Sequence, residues 1–354
     1  LVPGLVYDFG TGQEQKRQFT YVEVAAGQGT YMWNDYNGDG VQQSNEFELA
    51  IYNDQKRFIR VITPTNDYVK VNFSNLNFSL QINPDNMWRS LKTRNATQRF
   101  ISRFSDQFSV QINNRILYSE GLRSFNPFAG GFSDTGIIAA STSLNNTIFF
   151  NRSSARWGLD YTTTYNSNKA LLTYGLEGMS LLRHNEKLRW VWSRNYTFMC
   201  SVLHGSRAFS SPLDDGRSYE VGFRGVEPSI LFLYNSRVRV ATAYKLEHRQ
   251  NSNVYGGEFA RIQNVSLDSR FSFPSSGNIQ ARATYSYIVF NGAPNTALSF
   301  AMLESLAKGA NWLWYLNWTT RITKSIEFSL EYEGRKPGSN AAVHTGTMSL
   351  RAIL

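Results

Sequence analysis

Apolar and polar residues alternate with a period of two along most of this 354-residue chain, and no apolar run is long enough to make a spanning helix. In residues 264–273, Val265, Leu267, Phe271 and Phe273 share one face, and Asn264, Ser266, Asp268, Arg270 and Ser272 share the other. Residues 278–290 set Ile279, Ala281, Ala283, Tyr285, Tyr287 and Val289 against Gln280, Arg282, Thr284 and Ser286. In residues 326–333 the polar face carries Glu327, Glu331 and Glu333. Carboxylates at every second position are costly in a dry core and cheap in a wet lumen. The pattern predicts an all-β fold: a transmembrane antiparallel up-and-down β-barrel with its apolar face in lipid. A soluble β-sandwich also alternates, but its strands usually run about five or six residues, and many segments here are twice that. Trp312, Trp314 and Trp318 on a single face also favour the barrel.

Composition removes other classes. Aromatic residues make up 14% of the chain, and the mean hydropathy is negative, as expected where lipid-facing and lumen-facing positions average together. The net charge is +9, yet the basic residues are scattered and form no block, which argues against nucleic acid as a partner. Cys200, the single cysteine, alternates with Phe198 and Val202 and reads as a small hydrophobe. His184, His204, His248 and His344 make no zinc motif, and a chance pairing such as His184 with Glu186 or His344 with Glu333 does not make an enzyme. The chain opens Leu-Val-Pro-Gly without a signal peptide, so an exported protein would be a mature product or a later part of a longer one.

Residues 1–66 read as a small β-rich module, with strands at Gln18–Val24, Thr30–Trp33 and Arg57–Thr63, and residues 67–354 read as the barrel. Thirteen barrel strands can be placed between 67–82 and 342–354, the second at 98–116. Barrels favour even numbers, so about fourteen strands are expected. Either 56–63 supplies the missing one, or the wall is part of a larger barrel. Tight connections at Arg152–Ala155, Ser193–Asn195, Asn235–Ser236, Pro274–Gly277 and Thr323–Ser325 alternate with longer ones at 117–141, 167–180, 209–216, 251–256, 292–310 and 336–341. Short turns are periplasmic in outer-membrane barrels, which puts the C-terminus in the periplasm. Leu298, Met302, Leu303 and Leu306 have helical spacing and predict a helix within Ala297–Lys308. The loop 117–141, with Phe125-Asn126-Pro127-Phe128, either folds into the lumen or docks a partner.

One local motif carries chemistry. Residues 35–46 match the twelve-position calcium loop of EF-hands. Asp35, Asn37 and Asp39 would offer side-chain oxygens, Gly40 the sharp turn, Val41 its carbonyl, Gln43 a direct or water-mediated contact and Glu46 a bidentate carboxylate. Residues 28–33 read as strand, and only Phe47–Tyr52 suggests a helix, so the loop is EF-hand-like and its calcium structural. Asn, Asp and Gly are also what ordinary turns prefer.

Several segments resemble the C-terminal barrel portion of large outer-membrane proteins from Bacteroidota. They are residues 27–33 leading into the calcium-like loop and Glu46-Phe47-Glu48, residues 60–66, residues 146–154, and Tyr332-Glu333-Gly334-Arg335-Lys336 with Val343-His344-Thr345-Gly346. The resemblance implies a longer parent protein of which this chain is the closing part. One departure is the ending Ala352-Ile353-Leu354, where such barrels commonly end in an aromatic residue. The role expected first is an outer-membrane scaffold or subunit of an envelope complex for secretion, surface display or outer-membrane biogenesis, with outer-membrane lipid and other envelope proteins as partners. The alternative is a porin-like diffusion channel or transporter.

Overall fold

The computed structural model describes residues 1–89, 93–121, 125–128, 136–172, 175–212, 217–273, 276–323 and 325–352, with the backbone alone at 15–18 and 62–67. β1 (Val2–Glu23) leads into an insertion containing β2 (Tyr31–Trp33) and β3 (Phe47–Leu49), and β4 (Phe58–Ile82) leads back out. Helix α1 (Ala96–Ile101) precedes β5 (Phe104–Leu117), β6 (Ile137–Phe150), β7 (Trp157–Leu172) and β8 (Gly175–Val191). Next come β9 (Tyr196–Ser210), β10 (Tyr219–Tyr234), β11 (Val238–Asn251), β12 (Phe259–Phe273) and β13 (Gly277–Phe290). Helix α2 (Ala297–Leu303) then precedes β14 (Gly309–Thr323), β15 (Ile326–Pro337) and β16 (Val343–Ala352).

From β4 to β16 the wall follows chain order, each strand antiparallel to the next, and β1 lies beside β4. With β2 and β3 set apart in the insertion, fourteen strands make an up-and-down wall of the transmembrane β-barrel class. The two end strands, β1 and β16, are not paired with each other among the described residues. Alternation sorts the faces as the sequence predicts. Val265, Leu267 and Phe273 are about half exposed on the outside. On the inside Asp268 accepts Arg282 Nε at 2.8 Å across β12 and β13. Gly334 lies on the outer face under Trp314, where an added Cβ would come within 2.4 Å of the indole; its missing side chain lets the ring lie over β15.

The inner face changes character toward the rim that carries the insertion. Ala260, Ile262, Ile288 and Phe290 point inward there and, with Val221, bury Met302 and Leu303 of α2. Thr296 caps α2 by accepting Ser299 N–H at 3.0 Å, and Glu304 ends it with φ +56°. The helix therefore sits inside the mouth. Burying each of its large side chains contributes about 1.5–3 kcal/mol.

Several sequence expectations need correction. The fourteenth strand is β1, which pairs with β4 from Val2↔Gln81 to Glu23↔Phe58; residues 58–66 belong to β4 itself. Alternation is hidden in β1 because Gly4, Gly10 and Gly12 occupy its inward positions and the register shifts between Gln15 and Arg17. The inserted module is thus 24–57, not 1–66. The stretch 167–180 is not a loop: β7 and β8 pair as far as Leu172↔Gly175, with 173–174 outside the described residues. A capped helix, α1, occupies much of the start expected for the strand at 98–116. The predicted helix within 297–308 ends at Leu303, and Phe47–Leu49 is strand where a helix was considered. In the loop 117–141, Pro127 accepts a hydrogen bond from Asn114, Ser119 one from Asn72 at 2.8 Å, and Phe125 one from Tyr7. Asn114, Asn72 and Tyr7 are outward residues, so the described part of this loop covers the outer wall and not the lumen. Residue 324, the turn residues 274–275 and the chain end 353–354 lie outside the described residues.

Candidate functional site

The module 24–57 reaches from β1 and β4 to the start of β10 and to β15. Its aromatic core anchors it to β1 and β4: Tyr21 stacks on Phe47 with centroids 3.9 Å apart, and Phe47 meets Phe58 edge-on at 5.1 Å. Its far contacts are polar and long-range. Glu48 accepts Arg217 Nη2 at 2.9 Å just before β10. Asp54 accepts Arg335 of β15 in a two-pronged pair, at 2.6 and 3.1 Å, and the Arg335 guanidinium also lies 4.9 Å from the Tyr52 ring centroid. Asn295, in the loop before α2, donates to the Asp35 carbonyl at 2.7 Å.

A second clamp holds α2. Arg249, buried on the inner face of β11, donates to the Met302 carbonyl at 2.7 Å, to Glu247 at 2.5 Å and to Glu304 at 2.5 Å. Burial pulls the Glu304 pKa up, but the Arg249 guanidinium outweighs it and holds this carboxyl below the usual range. Fully buried Asn311 accepts Ala307 N–H at 3.0 Å and Gly338 N–H at 3.2 Å, and donates to the Ala307 carbonyl at 2.8 Å. It ties the loop after α2 to the β15–β16 connection.

Beneath the module and α2 lies a cavity of about 980 Å³. Aromatic rings and guanidinium groups share its lining, among them Phe19, Tyr21, Phe300, Arg60, Arg115 and Arg207. Arg60 lies 4.5 Å from the Phe19 ring centroid, and Arg115 pairs with Glu14 at 2.9 Å.

Within the module, residues 35–46 form a tight loop with Gly38 and Gly40 at φ +74° and +72°, conformations that favour glycine. Asp35 accepts Gly38 N–H at 2.7 Å and Gly40 N–H at 2.9 Å. Ligand oxygens of Asp35, Asp39 and Glu46 lie within 4.8 Å of one another, and none of the three carboxylates has an ion-pair partner among the described residues. Glu46 is 2% exposed and accepts Trp33 Nε1 at 2.9 Å and Gln43 N–H at 3.2 Å. This all-oxygen, triply acidic set suits a hard cation such as calcium. Asn37 and Gln43 donate their amide N–H to Asp39 at 2.9 and 2.8 Å, so each must turn its terminal amide to ligate through oxygen. Val41 N–H donates to Asp39 at 2.7 Å, which fixes the backbone at the expected carbonyl ligand.

Among the inward-facing charges, Lys245 pairs with Glu247 on the same strand and Asp268 with Arg282 across strands. Glu48, Asp54, Arg217 and Arg335, which pair the module with the wall, carry no motif. Glu333 faces inward while His344 faces outward against Tyr332, whose hydroxyl meets His344 Nδ1 at 2.8 Å. His204 Nδ1 lies 3.7 Å from Glu186, also on the outer wall.

No protein-family model matches the chain, and no relative was found among curated protein sequences. Among solved structures, a Pseudomonas aeruginosa FadL homologue superposes with a TM-score of 0.35 at 8% identity, covering 94% of this chain and 82% of that one. The Pseudomonas putida toluene transporter TodX gives a TM-score of 0.31 at 9% identity, covering 80% of this chain and 83% of that one. At that level of superposition the likeness says nothing about what this chain carries.

Proposed function

We propose that this chain is an outer-membrane β-barrel that passes small solutes through a lumen gated by the module 24–57. The observation that carries the reading is the span of that module: it is joined covalently to β1 and β4, ion-paired to Arg217 just before β10 and to Arg335 on β15, and seated over the cavity. A plug held to the far wall by ion pairs to Arg217 and Arg335 and a hydrogen bond from Asn295 is built to move, because few contacts must be exchanged for water to release it. Of the two roles expected from the sequence, transport therefore fits the interior better than a scaffold. The mixture of aromatic rings and guanidinium groups suits solutes with a flat apolar part and a negative group.

In this reading the long-looped rim with the module faces outward, and the short-turned rim, with both described chain ends, faces the periplasm. Calcium belongs at Asp35, Asn37, Asp39, Val41, Gln43 and Glu46. Bound there it would supply fixed positive charge that rigidifies the loop, while Asp35 hands that rigidity to Asn295. Uptake by liposomes carrying the refolded protein tests the proposal. Entry of an aromatic carboxylate faster than into protein-free liposomes supports it, and uptake at the protein-free rate by fully inserted protein rejects it.

A further inference from the structure

Four direct cross-strand pairs align five side chains in one row over five adjacent strands. His184 opposes His204, His204 opposes Arg224, Arg224 opposes His248, and His248 opposes Arg261. The row is on the outer face, because its parity matches Leu188, Val202, Ile230 and Val265, all exposed on the outside. Arg224 and Arg261 are exposed, and the His204 side chain is 51% exposed. The imidazoles are positioned by neighbours: His184 and His204 stack with centroids 4.8 Å apart, His184 Nδ1 meets Tyr161 Oη at 2.9 Å, and His248 stacks on Phe259 at 6.3 Å. Three of the four histidines in the chain fall in this row.

Its height on the wall is informative. From Arg224 toward the short-turned rim, the outward positions of β10 are Val226, Pro228, Ile230, Phe232 and Tyr234, without a polar residue among them. At about 3.3 Å per residue and the usual strand tilt, the segment from Arg224 to Tyr234 rises about 25 Å, the height of an apolar membrane band. Arg224 therefore sits where hydrocarbon ends on the module's side; because the strands tilt, His248 and Arg261 lie level with it or higher, and His204 and His184 lie lower. Cations there are favoured by the anionic headgroups they meet. Arg224 has an imidazole on either side across the strands, and the nearby outward carboxylates are Glu186 beside His204 and Glu220 farther up β10.

We infer that this row binds the phosphates of anionic glycolipid headgroups in the leaflet on the module's side. The inference rests on the membrane reading above. A guanidinium group donates to two phosphate oxygens at once, and flanking imidazole N–H groups extend the same donor line, so one row can hold phosphates of neighbouring lipids.

Native mass spectrometry of the full chain, folded in detergent and exchanged with bis-phosphorylated or dephosphorylated lipid A, tests this. The wild type should retain the phosphorylated form roughly tenfold better, a difference worth one or two charge-assisted contacts. Arg224→Gln with Arg261→Gln and His204→Gln should abolish the preference, and Arg239→Gln with Arg270→Gln in the lumen should keep it. Equal retention of both lipids by the wild type, or an undiminished preference in the triple variant, overturns the inference. So does complete displacement of the lipid by millimolar inorganic phosphate, which would make the row a site for the free anion. Insertion into phosphatidylcholine vesicles separates the two readings: a wild type that inserts but shows no preference loses only this row, and one that does not insert loses the membrane reading.

Discussion

Glu48 and Arg217 are 169 positions apart in the chain and 2.9 Å apart in space, and Tyr36 donates its hydroxyl to the same Glu48 oxygen at 3.1 Å. This contact joins the inserted module to the wall at β10, seven strands along the sheet from β1. In the gated-lumen proposal its strength decides whether the mouth is open or shut.

The anchor at Arg335 makes docking of the module sensitive to alkali. Tyr52, whose ring lies 4.9 Å from the Arg335 guanidinium, is pushed up to about 12 by burial first and the charge of Glu304 second. A group whose pKa is higher docked than released holds its proton more tightly when docked. Its contribution is whole below the released value and is withdrawn as pH rises through the docked one. For Tyr52 that window runs from the ordinary tyrosine value of 10.0 to about 12. Protease cleavage within 24–57 should therefore increase as pH is raised through this window. Cleavage that stays flat to its upper end contradicts the assignment.

Glu304 leans the opposite way. Its carboxyl is held below the usual range by Arg249, so its share of the α2 clamp is present above the ordinary carboxylate value and is lost as pH falls through the lowered one. Hydrogen exchange in 297–308 should rise in strong acid while that of β12 and β13 stays slow.

Calcium binding is tested by metal analysis of the refolded chain. The wild type should hold calcium, and Asp35→Ala with Glu46→Ala should lose it and loosen residues 30–50 in hydrogen exchange. A wild type without metal after dialysis against millimolar calcium rules the site out.

The α2 seat can be weighed by truncation. Met302 is fully buried and Ile288 1% exposed, so Met302→Ala should cost about 2–5 kcal/mol. Arg249→Ala, which leaves Glu247 with Lys245 alone and the Met302 carbonyl without its donor, should cost about 1.5–3 kcal/mol. Denaturant unfolding measures both, and losses under 1 kcal/mol, the range expected of exposed contacts, would mean that α2 is not docked.

Gly334→Val puts a side chain where the Trp314 indole lies. The variant should shift Trp314 fluorescence and lose about 1–3 kcal/mol by overpacking, while an unchanged spectrum would show that the ring is not seated over β15.

The wall was legible because period-two burial is written into every strand: Val265, Leu267 and Phe273 report their face without help from distant residues. β1 was not, since its inward glycines remove the contrast that alternation needs. The calcium-like loop could be read because its candidate ligands lie within twelve consecutive positions, and the fold brings Asp35, Asp39 and Glu46 together. The mouth could not. Glu48, Asp54, Arg217 and Arg335 are single charges, and which of them meet depends on how the wall curves. The outer row of His204, Arg224 and Arg261 was equally invisible, because it exists only once the register of five strands is known.

Single-channel conductance in planar bilayers tests the central claim most directly, comparing the wild type with Arg217→Ala combined with Arg335→Ala. The gated-lumen account predicts a small or intermittent conductance for the wild type and a larger, stable one once both ion pairs are removed. Correctly inserted double variant that conducts no more than the wild type would contradict it.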